Sequence, residues 1–133
     1  MKNFSELGLA QPLLQAIEEL GYEHPMPVQE EVIPHLLSND SDLVALAQTG
    51  TGKTAAYGLP LLQQLVPSGG PTVVILSPTR ELCLQIADDM EGFSKYMPET
   101  NILAVRRFIP YPFYLRRFHS FYLRRFHSIL NCF

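Results

Sequence analysis

The residues of this 133-residue chain best suited to chemistry are Ala47, Gln48, Thr49, Gly50, Thr51, Gly52, Lys53 and Thr54. Glycines at 50 and 52 let the backbone turn so that successive N–H groups point inward at phosphate oxygens. Gly52-Lys53-Thr54 opens a helix-forming segment, where unpaired N–H groups and the positive end of the helix dipole favour an anion. In such a loop the Lys53 ammonium reaches the β- and γ-phosphates and the Thr54 hydroxyl ligates Mg²⁺. The strict pattern G-x-x-x-x-G-K-[ST] asks for Gly where Ala47 stands, so the reading rests on context. The aliphatic run Leu43-Val44-Ala45-Leu46 precedes the loop as a buried parallel strand should, and a helix follows. The competing reading is a glycine-rich turn that merely contains Gly-Lys-Thr.

The elements that must position this loop follow from periodicity. Pro12 with Leu13, Leu14, Ile17 and Leu20, closed by Gly21, predicts a short amphipathic helix. A second helix is expected from Pro27 through Val28, Val32, Ile33 and Leu36-Leu37, kinked at Pro34. Met26 precedes it, where Ser or Thr would accept a bond from an orphan N–H worth about 1 kcal/mol. Ser38 to Asp42 is a polar loop leading to the first strand. Ala55 to Val66 continues as a helix containing Pro60, ended by the Pro- and Gly-rich stretch 67–71. Thr72-Val73-Val74-Ile75-Leu76 predicts a second buried strand, stopped by Ser77-Pro78. Glu81 to Tyr96 reads as a helix with Leu82, Leu84, Ile86, Met90 and Phe93 on or near its buried side, and Ile102 to Val105 as a third short strand. Strand and helix alternate, so the class is α/β, a parallel sheet flanked by helices. Ligands of such sheets bind beyond the carboxyl ends of the strands, where loops 47–54 and 77–81 would both lie.

Length allows one domain with one core, and 47% hydrophobic with 17% charged residues places the chain among globular proteins. The net charge of −3 conceals a division. Residues 1–100 carry all 13 acidic residues and four basic ones, whereas 101–133 carry six arginines and no acid. Cys83 and Cys132 lie far apart without metal-ligand spacing, which excludes a zinc site or disulfide framework and favours a reducing compartment. The first residues meet acid and Gly before any long apolar run, and no stretch approaches the ~18 apolar residues of a membrane span. The expected location is cytoplasmic, with no membrane partner and no metal cluster.

Three motifs together resemble one family. Ala47 to Thr54 looks like the first motif of DEAD-box RNA helicases, which carry A-x-T-G-x-G-K-T. Gly21-Tyr22-Glu23-His24-Pro25-Met26-Pro27-Val28-Gln29 is similar to their Q motif, with Phe4 at the upstream aromatic position and Met26 in place of the usual Thr or Ser. Pro78-Thr79-Arg80-Glu81-Leu82 resembles motif Ia, which contacts RNA backbone in the family. The resemblance implies a RecA-like P-loop NTPase domain, truncated, with ATP and Mg²⁺ as cofactors and RNA as partner. Its parts would be a Q motif at 2–30, a phosphate loop at 47–54 and motif Ia at 78–82 within a partial ATP-binding domain spanning 1–105.

The implied roles have physical support. The Gln29 amide offers one acceptor and one donor edge to adenine, and Phe4 could stack on the base. The alternatives are an exposed helix residue for Gln29 and a core or staple contact for Phe4. Within the stretch Pro78 to Glu81, Arg80 would pair with a phosphate while Thr79 and backbone N–H groups bond neighbouring oxygens, contacts that position a strand without reading its bases. The alternatives for Arg80 are an ion pair with Glu81 or an exposed helix-start residue.

After Val105 the likeness stops. The octapeptide Phe113 to Ser120 recurs unchanged as Phe121 to Ser128. A period of eight drifts about 80° per repeat around a helix, and on a strand neither face is apolar enough to bury, so 106–133 is not expected to join a core. Arginines among aromatics suit nucleic acid, or an anionic membrane surface. The abrupt change of composition at residue 105 favours an out-of-frame or disordered tail, and His119 and His127 lack companions for a metal site. The Asp-Glu-Ala-Asp and Ser-Ala-Thr motifs and the second domain of the family have no counterpart. The expected function is the ATP-binding N-terminal portion of a DEAD-box helicase, not catalytically competent alone. The alternatives are a nucleic-acid-binding fragment using the arginine tail, or a different small P-loop phosphotransferase.

Overall fold

The computed structural model describes residues 2–66, 71–105 and 129–131. The octapeptide repeat at 113–128 and Cys132 lie outside the described residues. A 3-10 turn at Phe4–Leu7 leads into α1 (Gln11–Glu19), α2 (Pro27–Ser38), α3 (Lys53–Gln63), β1 (Val74–Leu76), α4 (Arg80–Phe93) and β2 (Ile129–Asn131).

α1 forms where expected, with Pro12 in its first turn and its apolar stripe at Leu13, Ala16 and Ile17 buried. Gly21, at φ +83°, ends it. There the Tyr22 N–H donates to the Ile17 carbonyl at 2.9 Å and the Gly21 N–H to the Glu18 carbonyl at 3.0 Å, so the last carbonyls find partners. This turn sends the Tyr22 ring inward, edge-on to Phe4 at 6.1 Å and to Phe93 at 6.0 Å. These rings tie the 3-10 turn, α1 and α4 into a core that also takes Ile33 of α2 and Ala55, Leu59 and Leu62 of α3.

α3 is the central element, with every residue from Ala55 to Leu62 buried. It packs between α2 and α4, which explains why its sequence is apolar on all sides rather than striped. Close approach to α4 occurs at Gly58, where a Cβ would lie 2.6 Å from Met90 Sδ. Gln63 ties the helix to the N-terminal turn, accepting from the Ala10 N–H at 2.7 Å and donating to the Gly8 carbonyl at 2.9 Å. Gln64 donates to the Leu36 carbonyl at 2.6 Å, linking α3 to α2.

α2 runs unbroken in its backbone assignment through Pro34, whose missing N–H leaves one ladder position open. At its start the Gln29 Oε1 accepts from the Met26 N–H at 2.8 Å. This is one half of a capping box, and in the other half the Met26 thioether, a weak acceptor, faces the Gln29 N–H where a hydroxyl would bond it better. Met26→Thr is therefore expected to stabilise the protein by about 0.5–1 kcal/mol, seen as a rise of several degrees in Tm. A fall in Tm would mean that the packing of Met26 beside Gly52 outweighs the cap.

α4 begins at Arg80, one residue before the sequence expectation, because the Thr79 hydroxyl caps it by accepting from the Leu82 N–H at 3.2 Å. It ends at Phe93 rather than Tyr96. Beyond it Lys95 and Tyr96 both donate to the Glu19 carboxylate of α1. The Lys95 bond, then the Tyr96 bond, holds the Glu19 carboxyl below its ordinary value of 4.5. That contribution is present at neutral pH and is lost as pH falls through the acid range. All three groups are solvent-facing, so the tie orients helix ends and adds little stability.

The sheet differs most from expectation. β1 occupies Val74–Leu76 within the expected 72–76, and pairs in parallel with β2 in the register Val74 with Ile129, Ile75 with Leu130 and Leu76 with Asn131. The connection between the two strands contains α4, as a parallel crossover requires. A strand drawn from 129–131 was not expected, since 106–133 was read as standing outside the fold. Conversely, 43–46 is not a strand, and Val44 and Leu46 are 87% and 95% exposed. Residues 102–105 are not a strand either, with Leu103 and Val105 exposed. The physical reason is common to both. A buried strand needs ladder partners, and among the described residues none lies beside either segment. The α/β class stands, with a parallel pair and helices packed around α3.

Candidate functional site

The phosphate loop turns on two glycines in the left-handed region, Gly50 at φ +79° and Gly52 at φ +73°. At Gly50 a Cβ would meet nothing within 4 Å, so only the backbone angle requires glycine. At Gly52 a Cβ would lie 2.3 Å from Gln29 Nε2, so both angle and space require it. Gly52 then starts α3, its carbonyl accepting from the Ala56 N–H at 3.1 Å.

Gln29 is the hinge between the loop and the segment before α2. It is 1% exposed, the one polar side chain among the buried residues described. Its oxygen takes the Met26 N–H, and its nitrogen donates to the Gly52 carbonyl at 3.0 Å. The two ends of the amide are thus held by backbone of Met26 and Gly52, and the second bond spans 23 residues of sequence. Each atom of the amide keeps one further valence, a second lone pair on the oxygen and a second N–H on the nitrogen, with which an adenine edge could be met.

Lys53 folds back over the loop, donating to the Ala47 carbonyl at 2.8 Å and the Gln48 carbonyl at 2.6 Å. The Thr51 hydroxyl donates to the same Gln48 carbonyl at 2.8 Å. The cation therefore sits at the mouth of the loop, beside the helix N-terminus, where an arriving phosphate would find it. Thr54, in the first turn of α3, is half-buried beside the Asp89 carboxylate of α4. Its oxygen suits a hard cation such as Mg²⁺. Glycine-limited space, a lysine within the loop and an oxygen donor at the helix start form a donor set that fits a Mg²⁺-bound nucleotide phosphate.

Asp89 escaped selection from the sequence. Burial raises its carboxyl above its ordinary value, while the neighbouring Thr54 hydroxyl opposes that shift. No local signal marks it, because the contact is made between α3 and α4.

Phe4 is brought to the core rather than to the loop. It is 5% exposed and packed on Tyr22, the core contact weighed beside base stacking. Pro78, Thr79, Arg80 and Glu81 are all exposed at the N-terminus of α4. Thr79 has the additional role of helix cap, which its position before an apolar helical run signals. From Arg80 to Asp89 the helix rises roughly 13 Å, so one rigid element joins this exposed end to Thr54. An opening of about 660 Å³ lies between α2 and the extended 43–48 segment, bordered by Met26, Val28, His35, Leu46, Gln48 and Thr51. Among the described residues no helix is long and apolar enough to cross a membrane.

Comparison with known proteins agrees with this geometry. The DEAD/DEAH box helicase model matches residues 26–108. ATP-dependent RNA helicase DeaD of Escherichia coli K12 is 52% identical over 103 residues, which cover 77% of this chain and 16% of that protein. DeaD of Haemophilus influenzae is 48% identical over 103 residues, 77% of this chain and 17% of its own. The chain thus spans about one sixth of the length of these relatives. Among solved structures, Saccharomyces cerevisiae Dbp5 bound to RNA and ADP BeF3 superposes with a TM-score of 0.69 at 37% identity, over 73% of this chain and 25% of that one. A DEAD box protein of Methanococcus jannaschii gives a TM-score of 0.66 at 43% identity, over 68% of this chain and 25% of its own. The RecA-like fold expected from the motifs is therefore shared with these helicase domains.

Proposed function

This chain belongs to the DEAD/DEAH box helicase family, and from that premise we propose that residues 21–54 bind the adenine nucleotide of an ATP-dependent RNA helicase. The observation that carries the reading is the Gln29 amide bonded to the Gly52 carbonyl, which joins the base-reading segment directly to the phosphate loop. A nucleotide spanning the two would be sensed at both ends by one buried side chain.

The residues divide the work. Gln48, Thr49, Gly50, Thr51 and Gly52, with Ala47 at the loop's start, present backbone to the phosphates, and Lys53 exchanges its two carbonyl partners for phosphate oxygens. Gln29 reads the adenine edge. Phe4 acts from the core beneath, through Tyr22, or rises to stack on the base when the nucleotide arrives. Thr54 would hold Mg²⁺, which would supply charge neutralisation at the phosphates. Arg80, flanked by Pro78, Thr79 and Glu81, contacts RNA backbone from the exposed start of α4. RNA unwinding coupled to ATP hydrolysis in the cytoplasm is proposed for the whole protein. The chain of 133 residues contains no Asp-Glu-Ala-Asp sequence and is proposed to bind nucleotide without turning it over.

Equilibrium titration with fluorescent ADP and GDP in Mg²⁺ tests this. Adenine should be preferred, and Gln29→Ala should narrow the preference by about tenfold, the worth of one or two buried hydrogen bonds. Equal affinity for the two bases in the unmodified chain would overturn the reading.

A further inference from the structure

We propose that the Thr51 side chain is a positioning residue for Lys53, easing the ammonium away from the loop's own carbonyls so that it can turn to phosphate; this rests on the nucleotide-binding reading above. Cradling a phosphate asks only for the Thr51 backbone N–H, so the hydroxyl is left for separate work. It donates to the Gln48 carbonyl at 2.8 Å, and the Lys53 ammonium donates to that same oxygen at 2.6 Å. The ammonium's other bond runs to the Ala47 carbonyl at 2.8 Å.

The loop thus satisfies its own cation. An ammonium has three donors, and two of those of Lys53 are engaged by carbonyls, at lengths ordinary for charge-assisted bonds. A phosphate reaching the loop must compete with both carbonyls for the lysine. Whatever strength they have in holding it is subtracted from the affinity for the phosphate.

The Gln48 oxygen is where that competition can be tuned. A carbonyl has two lone pairs, and here one meets a charged donor and the other a hydroxyl. Two donors on one oxygen draw on the same electron density, so the hydroxyl loosens the ammonium's hold. When the ammonium departs, the hydroxyl remains and the carbonyl keeps a protein partner. Thr51 therefore acts on both sides of the transfer. Its place in the chain suits this, because the bond from residue 51 back to residue 48 closes a turn around Gly50, whose φ of +79° lies in the left-handed region. The turn that steadies Gln48 ends two residues before the lysine that must leave it.

The test is a double-mutant cycle on the binding of fluorescent ADP in Mg²⁺ by the full chain. Thr51→Val keeps the shape of the side chain and removes the donor, and it should raise Kd by about 3–10-fold, the worth of one neutral hydrogen bond. Thr51→Ser should bring Kd back to within about twofold, since the hydroxyl returns. In the Lys53→Ala chain the Gln48 carbonyl has no ammonium to surrender, and there Thr51→Val should change Kd by less than about twofold. A hydroxyl that merely braced the turn would show the same loss with and without Lys53. Equal losses in the two backgrounds therefore overturn the proposal, as does an unchanged Kd in Thr51→Val or a Kd in Thr51→Ser as high as in Thr51→Val. Thr51→Ala is the second donorless variant and should follow the same pattern, with thermal unfolding confirming that each chain is folded. An unmodified chain that binds no ADP overturns the nucleotide-binding reading itself.

Discussion

Gly52→Ala is expected to cost about 2–5 kcal/mol of stability, lowering Tm by more than about 10 °C. Two separate terms make up this figure. Gly52 sits at φ +73°, where an alanine loses about 1–2 kcal/mol to the contact of its Cβ with backbone. The same Cβ would stand 2.3 Å from Gln29 Nε2, and Gln29 is almost wholly buried with nowhere to swing. Its donor must leave the Gly52 carbonyl, and an unsatisfied buried group costs about 1–3 kcal/mol. Gly50→Ala separates the terms, because its φ is equally positive but its Cβ would enter open space. It should cost only the first term. The double variant Gly52→Ala with Gln29→Ala should be less destabilised than the two single losses summed, since removing the amide removes the collision. Additive losses in thermal unfolding would show that Gly52 is constrained by its backbone angle alone.

What the sequence disclosed was the chemistry that local pattern can carry. Lys53, Thr54 and the glycines of the loop fall at fixed spacing on a turn and a helix start, so their roles depend on few distant contacts. Gln29 was marked by its neighbours, yet its burial and its bond to Gly52 were not visible, because a helix face shows period and not destination. The segment 43–46 failed for the opposite reason. Its residues have strand character, but a strand is a relation between chains of hydrogen bonds, and no partner stands beside it among the described residues. Asp89 lay hidden because its surroundings are set where α3 and α4 pack at Gly58, against Met90 and Phe93, an event without a local signature. Thr79 was read for its value to RNA, while its helix-capping bond is the more immediate work it performs.

Lys53→Ala should weaken nucleotide binding by about 10–100-fold while moving Tm by no more than a degree or two. The binding loss follows from the charge. A hydrogen bond from an ammonium to a phosphate oxygen is worth about 1.5–3 kcal/mol, and each 1.4 kcal/mol is tenfold in Kd. The small stability effect follows from the partners Lys53 now holds. The Ala47 and Gln48 carbonyls lie at the half-open loop, so water replaces the ammonium when it is removed, and Thr51 still donates to Gln48. Removing a cation that holds its own loop closed also frees the loop, which should raise its amide hydrogen exchange without reaching the buried turns of α3. Titration with ADP alongside thermal unfolding distinguishes the two quantities. A large fall in Tm with unchanged affinity would make Lys53 a structural brace for the loop and remove it from phosphate binding. Lys53→Arg should fall between, keeping the charge but carrying a planar fork where a compact ammonium now fits between two carbonyls.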